Sequence, residues 1–557
     1  MEIRTIRAAD NAAIEVIIRE CLIEFGGNRE GLAWQDDSLS ALSAFYAGDD
    51  REYWVAVEDG EVIGGCGIAP FAESNKVCEL QKMYLLAGAR GNGTAGKLLA
   101  IALEFAALHY EECYLETLQT MEAANRFYRK NGFRELDAPL AGSEHFACDA
   151  WYIRSLHTGW KSRRVSEMGS SVFSKVFGWK EEAQRLGKEM IDLSIGTPDH
   201  PPAPEIRQAL SEASLREDVY GYPGTRGSAE FRKQAAAWMK HRFGANVNPE
   251  SELLPLLGSQ DGLAHLAQAV CNPGDLAMVP DPGYPIYLGA LRLAGVEPYK
   301  LPLRRENGFL PDLDHISDET WSRARFILVA FPGNPIGALA DQAYFEKLIA
   351  LAKKWNVLIV HDLAYSELGF GDYRPMSILQ LPGAKDIAVE LHSCSKSFNM
   401  PGCRIGFITG NAEAVGALRE LKGHIDFGVF EPVQQAAIEA FRLAMEAPEG
   451  DRGVAPLYES RCEVFHQALT EEGWTIDKPD ATMFLWAEIP ERFRENGRIG
   501  SSSAFAEELL LATGVAVVPG EAFGDEGEGF VRIALVREEE TLVEAARRIG
   551  RFIRGEI

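Results

Sequence analysis

The sequence predicts an α/β protein of two unlike domains: a small mixed α/β unit, then a larger one around a mostly parallel sheet with a smaller α+β subdomain. Three observations carry this reading. Beyond residue 166, apolar runs alternate with helical patterns for roughly 390 residues. Runs such as 326–330 and 357–361 are apolar enough for a sheet buried on both faces. Before residue 155, strand-like runs at 53–57, 62–65 and 79–85 lead into a helical pattern over 96–110, with Leu98, Leu99, Ala102, Phe105 and Ala106 at helical spacing. Between the two lies Lys161-Ser162-Arg163-Arg164-Val165-Ser166, polar and basic, which reads as a linker. The expected organisation is 1–155, a linker over 156–175, and 176–557. In the last of these a large domain covers about 220–450 and the flanking segments form the small one. There is no internal repeat.

Bulk properties narrow the function. The chain has 557 residues, 46% hydrophobic and 25% charged, which is ordinary for a globular protein of two or three compact units. Acidic residues outnumber basic ones by 82 to 56, for a net charge of −26. That balance argues against a nucleic-acid or anionic-membrane partner, since phosphate binding needs clustered Lys and Arg. Nine scattered cysteines without a CxxC pair argue against a disulfide framework or a structural metal, and point to a reducing cytoplasm. The N-terminus lacks the apolar stretch of a signal peptide. No run approaches the roughly 18 apolar residues of a membrane span.

Lys396 is the most informative residue of the larger domain. It follows the apolar run 387–391, is flanked by Ser393, Ser395 and Ser397, and precedes Arg404 by eight residues. A lysine at a strand end among hydroxyls, with an arginine nearby, suits an amine that condenses with an aldehyde beside a bound phosphate. Pyridoxal 5′-phosphate (PLP) offers that pair and makes further demands. Its ring nitrogen must stay protonated, so an acid must face it. Asp362 ends an apolar strand, where α/β folds place ligands. Asn334 and Tyr365 can serve the ring's phenolic oxygen. The phosphate needs N–H groups at a helix start, with hydroxyls and a cation. Gly258-Ser259-Gln260-Asp261-Gly262 opens a helical pattern after the apolar run 253–257, and Ser393 and Arg404 complete that set. Tyr284 can stack on the ring face, and Arg532 can hold a substrate carboxylate with a bidentate fork. Singly, each has an ordinary reading: Asp362 a helix cap, Asn334-Pro335 a turn, Ser259 an N-cap, Tyr284 loop packing, Arg532 a surface ion pair. Their occurrence together, in this order, carries the inference.

On these motifs, residues from about 166 onward resemble a fold-type I, class I/II PLP-dependent aminotransferase. The resemblance implies that Ile195-Gly196-Thr197-Pro198-Asp199 is the entry motif, with Gly196 near the substrate carboxylate. It implies that Tyr222, before Pro223 and Gly227, reaches the phosphate of a neighbouring subunit, so that the active form is a homodimer. Lys396 is then the amine that moves a proton from the Cα of the amino acid, and ping-pong exchange of amino acids and 2-oxo acids follows. The segments 392–400 and 425–430 look most like the LL-diaminopimelate aminotransferase-like group. Gln260, where a lysine is common, and Cys394 and Cys403, where bulkier residues are common, depart from that pattern.

In the smaller domain, Arg90-Gly91-Asn92-Gly93-Thr94-Ala95-Gly96-Lys97 follows a strand-like run and opens a helix. Small residues let backbone N–H groups close on a pyrophosphate at the helix N-terminus. The P-loop pattern GxxxxGK[ST] fails at Leu98, and although Gly91, Gly93 and Gly96 fall at GxGxxG spacing, the loop comes late in its domain for a dinucleotide site. The loop resembles the [QR]-x-x-G-x-[GA] pyrophosphate loop of the GNAT N-acetyltransferases, with Arg90, Gly91, Gly93 and Ala95 in its cofactor-binding stretch. Tyr128 lies in a segment like that family's Y-x-x-x-GF. The resemblance implies acetyl-CoA as cosubstrate, Tyr128 as the acid that protonates the departing thiolate, and backbone at Met83 and Leu85 along the pantetheine arm. Glu79 and Glu116 lie on suitable strands for a general base, and neither is singled out over the other. The whole chain therefore reads as a bifunctional enzyme. Two other readings stay open: a PLP-dependent C–S β-lyase, and an aminotransferase regulated by a non-catalytic acetyl-CoA-sensing domain.

Overall fold

Contacts in the computed structural model divide the chain into two units, Met1–Glu167 and Met168–Ile557. The structure describes residues 2–557 apart from 59, 73, 75, 144, 157–159, 161, 163, 166, 167, 169–171 and 495–500. Much of the expected linker, including Lys161, Arg163 and Ser166, thus lies outside the described residues.

The first unit is a seven-stranded sheet built from β1 (Glu2–Thr5), β2 (Glu52–Glu58), β3 (Glu61–Pro70), β4 (Val77–Leu85), β5 (Glu112–Thr117), β6 (Arg134–Leu136) and β7 (Ala150–Ser155). The order across the sheet is β1-β2-β3-β4-β5-β7-β6. Successive side chains alternate faces, as a strand requires. Tyr53 and Val55 pack under the helix Asn11–Glu24, while Trp54 and Ala56 pack under Thr94–His109. β4 and β5 run parallel, but their pairing covers just Val77–Glu79 against Glu112–Tyr114. Beyond Glu79 the two strands have no ladder, which opens the sheet. The β3–β4 register also shifts between Gly65 and Gly67, and Lys82 sits there with φ +51°. Such a bulge re-aims a side chain and is frequent beside active sites.

The second unit begins with a helix, Val172–Arg185, and a short strand, β8 (Ile191–Asp192). Its main sheet comprises β9 (Leu253–Leu256), β10 (Leu276–Asp281), β11 (Glu297–Pro302), β12 (Ala324–Val329), β13 (Leu358–Asp362), β14 (Ala388–Ser393) and β15 (Gly406–Gly410). The order is β11-β10-β12-β13-β14-β15-β9. All pairings are parallel except those of β15, which runs against both its neighbours. Ile359 and Val360 enter separate apolar clusters on the two faces, so the near-continuous apolar strands have the doubly covered sheet they need. A smaller subdomain follows, with β16 (Phe484–Glu488), β17 (Val515–Ala516), β18 (Val518–Pro519) and β19 (Phe530–Ala534). Its three-stranded sheet runs β16-β19-β18, and β17 pairs with β8. That pairing ties the segment before Gly196 to the small subdomain.

One buried ion cluster fixes the helix Ser259–Val270, whose first turn faces the site described below. Lys422 is fully buried and donates to Asp261 and Asp426. Asp261 also accepts the Leu257 N–H at 2.9 Å and bonds His265 at 2.8 Å. Replacing Lys422 by Met leaves two carboxylates without their cation. We expect an unfolding free energy about 3 kcal/mol lower, measured by urea titration with the slope unchanged.

Candidate active site

Eleven of the residues singled out in the larger domain line one cleft of about 640 Å³: Gly196, Ser259, Gln260, Tyr284, Asn334, Asp362, Tyr365, Ser393, Lys396, Arg404 and Arg532. Asp362 and Ser393 are the last residues of β13 and β14, and Ser259 follows β9. The cleft therefore lies at the carboxyl ends of the parallel strands, where an open α/β sheet presents its ligands. Tyr222 is not brought to it. This side chain is 94% exposed, with its ring 5.9 Å from that of Phe427, which is also exposed.

Lys396 Nζ donates to the carbonyl of Gly196 at 2.5 Å. Burial, reinforced by the positive charges of Arg532 and Arg404, pulls its amine down to about 8. Asp362 accepts a hydrogen bond from the Tyr287 hydroxyl at 2.7 Å through Oδ2. Its other oxygen, Oδ1, is buried without a hydrogen-bond partner. Burial holds the carboxyl above its usual range, opposed by the Tyr287 bond. Arg532 is buried too. It donates to Asn334 Oδ1 at 2.9 Å and to the Ser194 carbonyl at 2.6 Å, and its guanidinium lies 4.4 Å from the Phe484 ring centre. Tyr284 donates to Gln260 at 3.0 Å, and Tyr365 is buried with its ring 5.8 Å from that of Phe484.

At the other side of the cleft, the helix Ser259–Val270 points its first turn at Arg404. Gly258 has φ +81°, which glycine adopts without strain, and its lack of a Cβ leaves room for Arg404 Nη2, 2.6 Å from where that Cβ would stand. Arg404 is held by the carbonyls of Pro401 and Leu257. Unpaired helix N–H groups, two serines and a guanidinium form an anion cradle. Sequence reasoning missed Tyr287, Asp261 and Lys422. Tyr287 lies three residues after Tyr284 on a helix, and nothing in the local pattern distinguishes it from a packing tyrosine.

In the first unit, Gly91 and Gly93 take positive φ, +81° and +91°, and lead into the helix Thr94–His109. Ala95 lies in its first turn, where N–H groups lack intrahelical partners. The Arg90 guanidinium is committed elsewhere: it bonds both oxygens of Glu24 and the Leu85 carbonyl. The backbone of this loop, more than the Arg90 side chain, thus supplies the donors. Tyr128 is buried against Phe133 and Tyr152, and burial pushes its phenol up, keeping it protonated. It shares a small cavity with Glu79, Met83 and Glu116. Leu80 to Leu85 of β4 have no ladder to β5, which leaves that edge open beside Met83 and Leu85.

The family model for aminotransferase class I and II matches residues 188–549. The chain belongs to the class I and II aminotransferases. LL-diaminopimelate aminotransferase of Syntrophobacter fumaroxidans is 40% identical over 396 residues, covering 70% of this chain and 98% of the relative. The Aquifex aeolicus enzyme of that name is 40% identical over 389 residues, with coverages of 70% and 98%. The structure of a probable N-succinyldiaminopimelate aminotransferase from Thermus thermophilus superposes with a TM-score of 0.64 at 40% identity, covering 68% of this chain and 99% of that one. The model for the acetyltransferase (GNAT) domain matches residues 49–135, so this aminotransferase also carries a GNAT domain.

Aminotransferases imply PLP, and the cleft fits it on its own terms. Asp362 Oδ1 needs a donor or cation that the protein does not provide; a protonated ring nitrogen is one. The anion cradle at Ser259 and Arg404 suits a phosphate, and the half-buried Lys396 amine lines the same cleft. In cofactor-free aminotransferase, the amine reacts with an aldehyde when unprotonated. The rate of PLP uptake should therefore rise with pH through a midpoint near 8, where an ordinary lysine would titrate near 10.4. Arg532→Gln removes one neighbouring cation and should move that midpoint upward, read from the pH dependence of the visible absorbance of bound cofactor.

Proposed function

We propose that this aminotransferase is bifunctional: a PLP-dependent transaminase of a diamino acid joined to an acetyl-CoA-dependent N-acetyltransferase. One observation carries the transaminase reading. The Lys396 amine, the open oxygen of Asp362 and the buried Arg532 fork meet in one cleft. When bound, PLP supplies an aldehyde and a ring that accepts electrons. Lys396 Nζ anchors the cofactor and then carries the proton from the donor's Cα. Its lowered basicity, to about 8, leaves roughly a tenth of the amine free at pH 7, where an ordinary lysine would leave less than a thousandth. Asp362 holds a proton at the ring nitrogen. Arg532, oriented by Asn334 and the Ser194 carbonyl, grips the α-carboxylate. Tyr284 and Tyr365 wall the ring site, and Ser259, Gln260, Ser393 and Arg404 hold the phosphate. Gly196 lies where the carboxylate enters.

The names of the relatives bear on the donor. LL-diaminopimelate and its N-succinyl derivative are diamino acids, the second acylated on one nitrogen. A domain that acetylates one amine beside a domain that exchanges the other would work on the same molecule. The exposed aromatics Tyr220, Tyr222, Phe427 and Phe430 support a homodimer in which Tyr222 serves the partner's phosphate site. Nine free thiols fit a reducing cytoplasm.

An amino-donor screen with 2-oxoglutarate as acceptor tests the transaminase reading. Diamino acids should be the best donors, and Lys396→Ala should lose both turnover and the visible absorbance of bound cofactor. Asp362→Asn should keep PLP but lower kcat by about 10²–10³-fold. Coupling of the domains requires overlap. If the compounds acetylated by the first unit are never donors or products for the second, the shared-substrate reading fails.

A further inference from the structure

The first unit contains a charged chamber that the cofactor loop and Tyr128 do not explain. Glu79, Glu116 and His145 bring a carboxylate oxygen or ring nitrogen each within 4.8 Å of one another. His145 Nε2 bonds Asp36 Oδ1 at 3.1 Å, and Asp36 Oδ2 pairs with buried Lys82 Nζ at 2.6 Å. This leaves His145 Nδ1 facing Glu116 Oε2 at 3.9 Å. Glu116 Oε1 accepts from Tyr114 at 2.8 Å, and Glu79 accepts from Gln81 at 2.7 Å. Glu116 Oε2 is unpartnered although the side chain is just 2% exposed. A buried carboxylate oxygen without a donor is costly and marks a place for a cationic ligand.

Position gives the chamber its meaning. Glu79 is the last β4 residue paired to β5, so these groups sit where the strands part. Glu79, Gln81, Lys82, Glu116 and His145 line two cavities at once. One, of about 70 Å³, also holds Tyr128 and Met83. The other, about 780 Å³, is walled by Asp36, Phe45, Arg51 and Phe71, and is large enough for a small molecule. The five shared residues form the wall between the thioester side and an acceptor side.

We propose that this chamber is the acceptor site for a small-molecule primary ammonium, bound by Glu116 and Glu79 and deprotonated at His145 Nδ1, with Asp36 as the positioning residue. It rests on the reading of this unit as an acetyl-CoA-dependent transferase. One ammonium proton passes to His145 Nδ1 and on to solvent. The freed nitrogen lone pair attacks the thioester carbon, the C–N bond forms, and the C–S bond breaks with its electrons on sulfur. Tyr128 gives the sulfur a proton, and the second proton leaving nitrogen restores Tyr128. The sum is amide, thiol and one proton. The Asp36 bond raises His145 above the ordinary histidine value against the opposing effect of burial. Glu79, Glu116 and Lys82 are the other charged groups that face it.

The test uses the full-length protein with acetyl-CoA and 1,5-diaminopentane, L-lysine and diaminopimelate as probes. Thiol release and direct acetyl-CoA binding are measured together, and binding also reports that each variant is folded. We expect acetylation of at least one probe, with kcat/KM rising through a midpoint above the usual histidine value of about 6.5. Glu116→Gln should raise the amine KM about tenfold at unchanged acetyl-CoA affinity. His145→Gln should cut kcat about 100-fold, and Asp36→Asn should move the pH midpoint down. If acetyl-CoA does not bind the wild type, the transferase reading falls and the proposal with it. If acetyl-CoA binds but no probe is acetylated, or the three variants match wild type, the chamber proposal fails while cofactor binding stands. Stoichiometric zinc binding lost in Glu116→Gln, with chelator-sensitive activity, would overturn it in favour of a metal site.

Discussion

The larger unit is organised around keeping one half-buried lysine amine within the field of two guanidinium groups. Removing an amine from water disfavours its charged form, and like charges nearby add to the effect. Lys396 therefore sits far below an ordinary lysine. Maintaining this arrangement takes segments that are distant in sequence. Gly196 accepts from the amine, Arg532 comes from β19, and Asn334 and Ser194 hold Arg532 in turn.

The opposite end of the cleft is governed by the same logic with reversed charge. A helix start and Arg404 create a region that favours an anion, and Gly258 permits their approach. Asp261, in the first turn of that helix, is neutralised by Lys422 from another helix. The buried ion cluster thus places an anion cradle, and the unsatisfied Asp362 oxygen places a cation, at two ends of one cavity. A zwitterionic aromatic phosphate fits both.

In the smaller unit the controlling event is the loss of pairing between β4 and β5 after Glu79. It exposes one edge of β4 and lets side chains from both strands converge. The bulge at Lys82 turns that lysine inward to neutralise Asp36, which orients His145. A local backbone irregularity so decides which carboxylates remain without a counter-ion.

Much of this was legible in the residues themselves. Apolar runs such as 357–361, ending in His361-Asp362, specify buried strands whose ends carry polar groups, and chemistry at strand ends follows from the sheet's geometry. The motif around Lys396 and the glycine loop at 91–96 carried the two chemistries because each demands particular residue types at short spacing. What the sequence could not supply was contact between residues far apart along the chain: Tyr287 on Asp362, Lys422 on Asp261, and Asp36 with His145. Such pairs leave no local signature, since hydrogen bonds and ion pairs form in space and carry no fixed spacing. The sequence by itself determined which chemical groups the protein has and where strands and helices begin. The tertiary structure alone decided which of those groups lie buried together, and burial is what sets their charge.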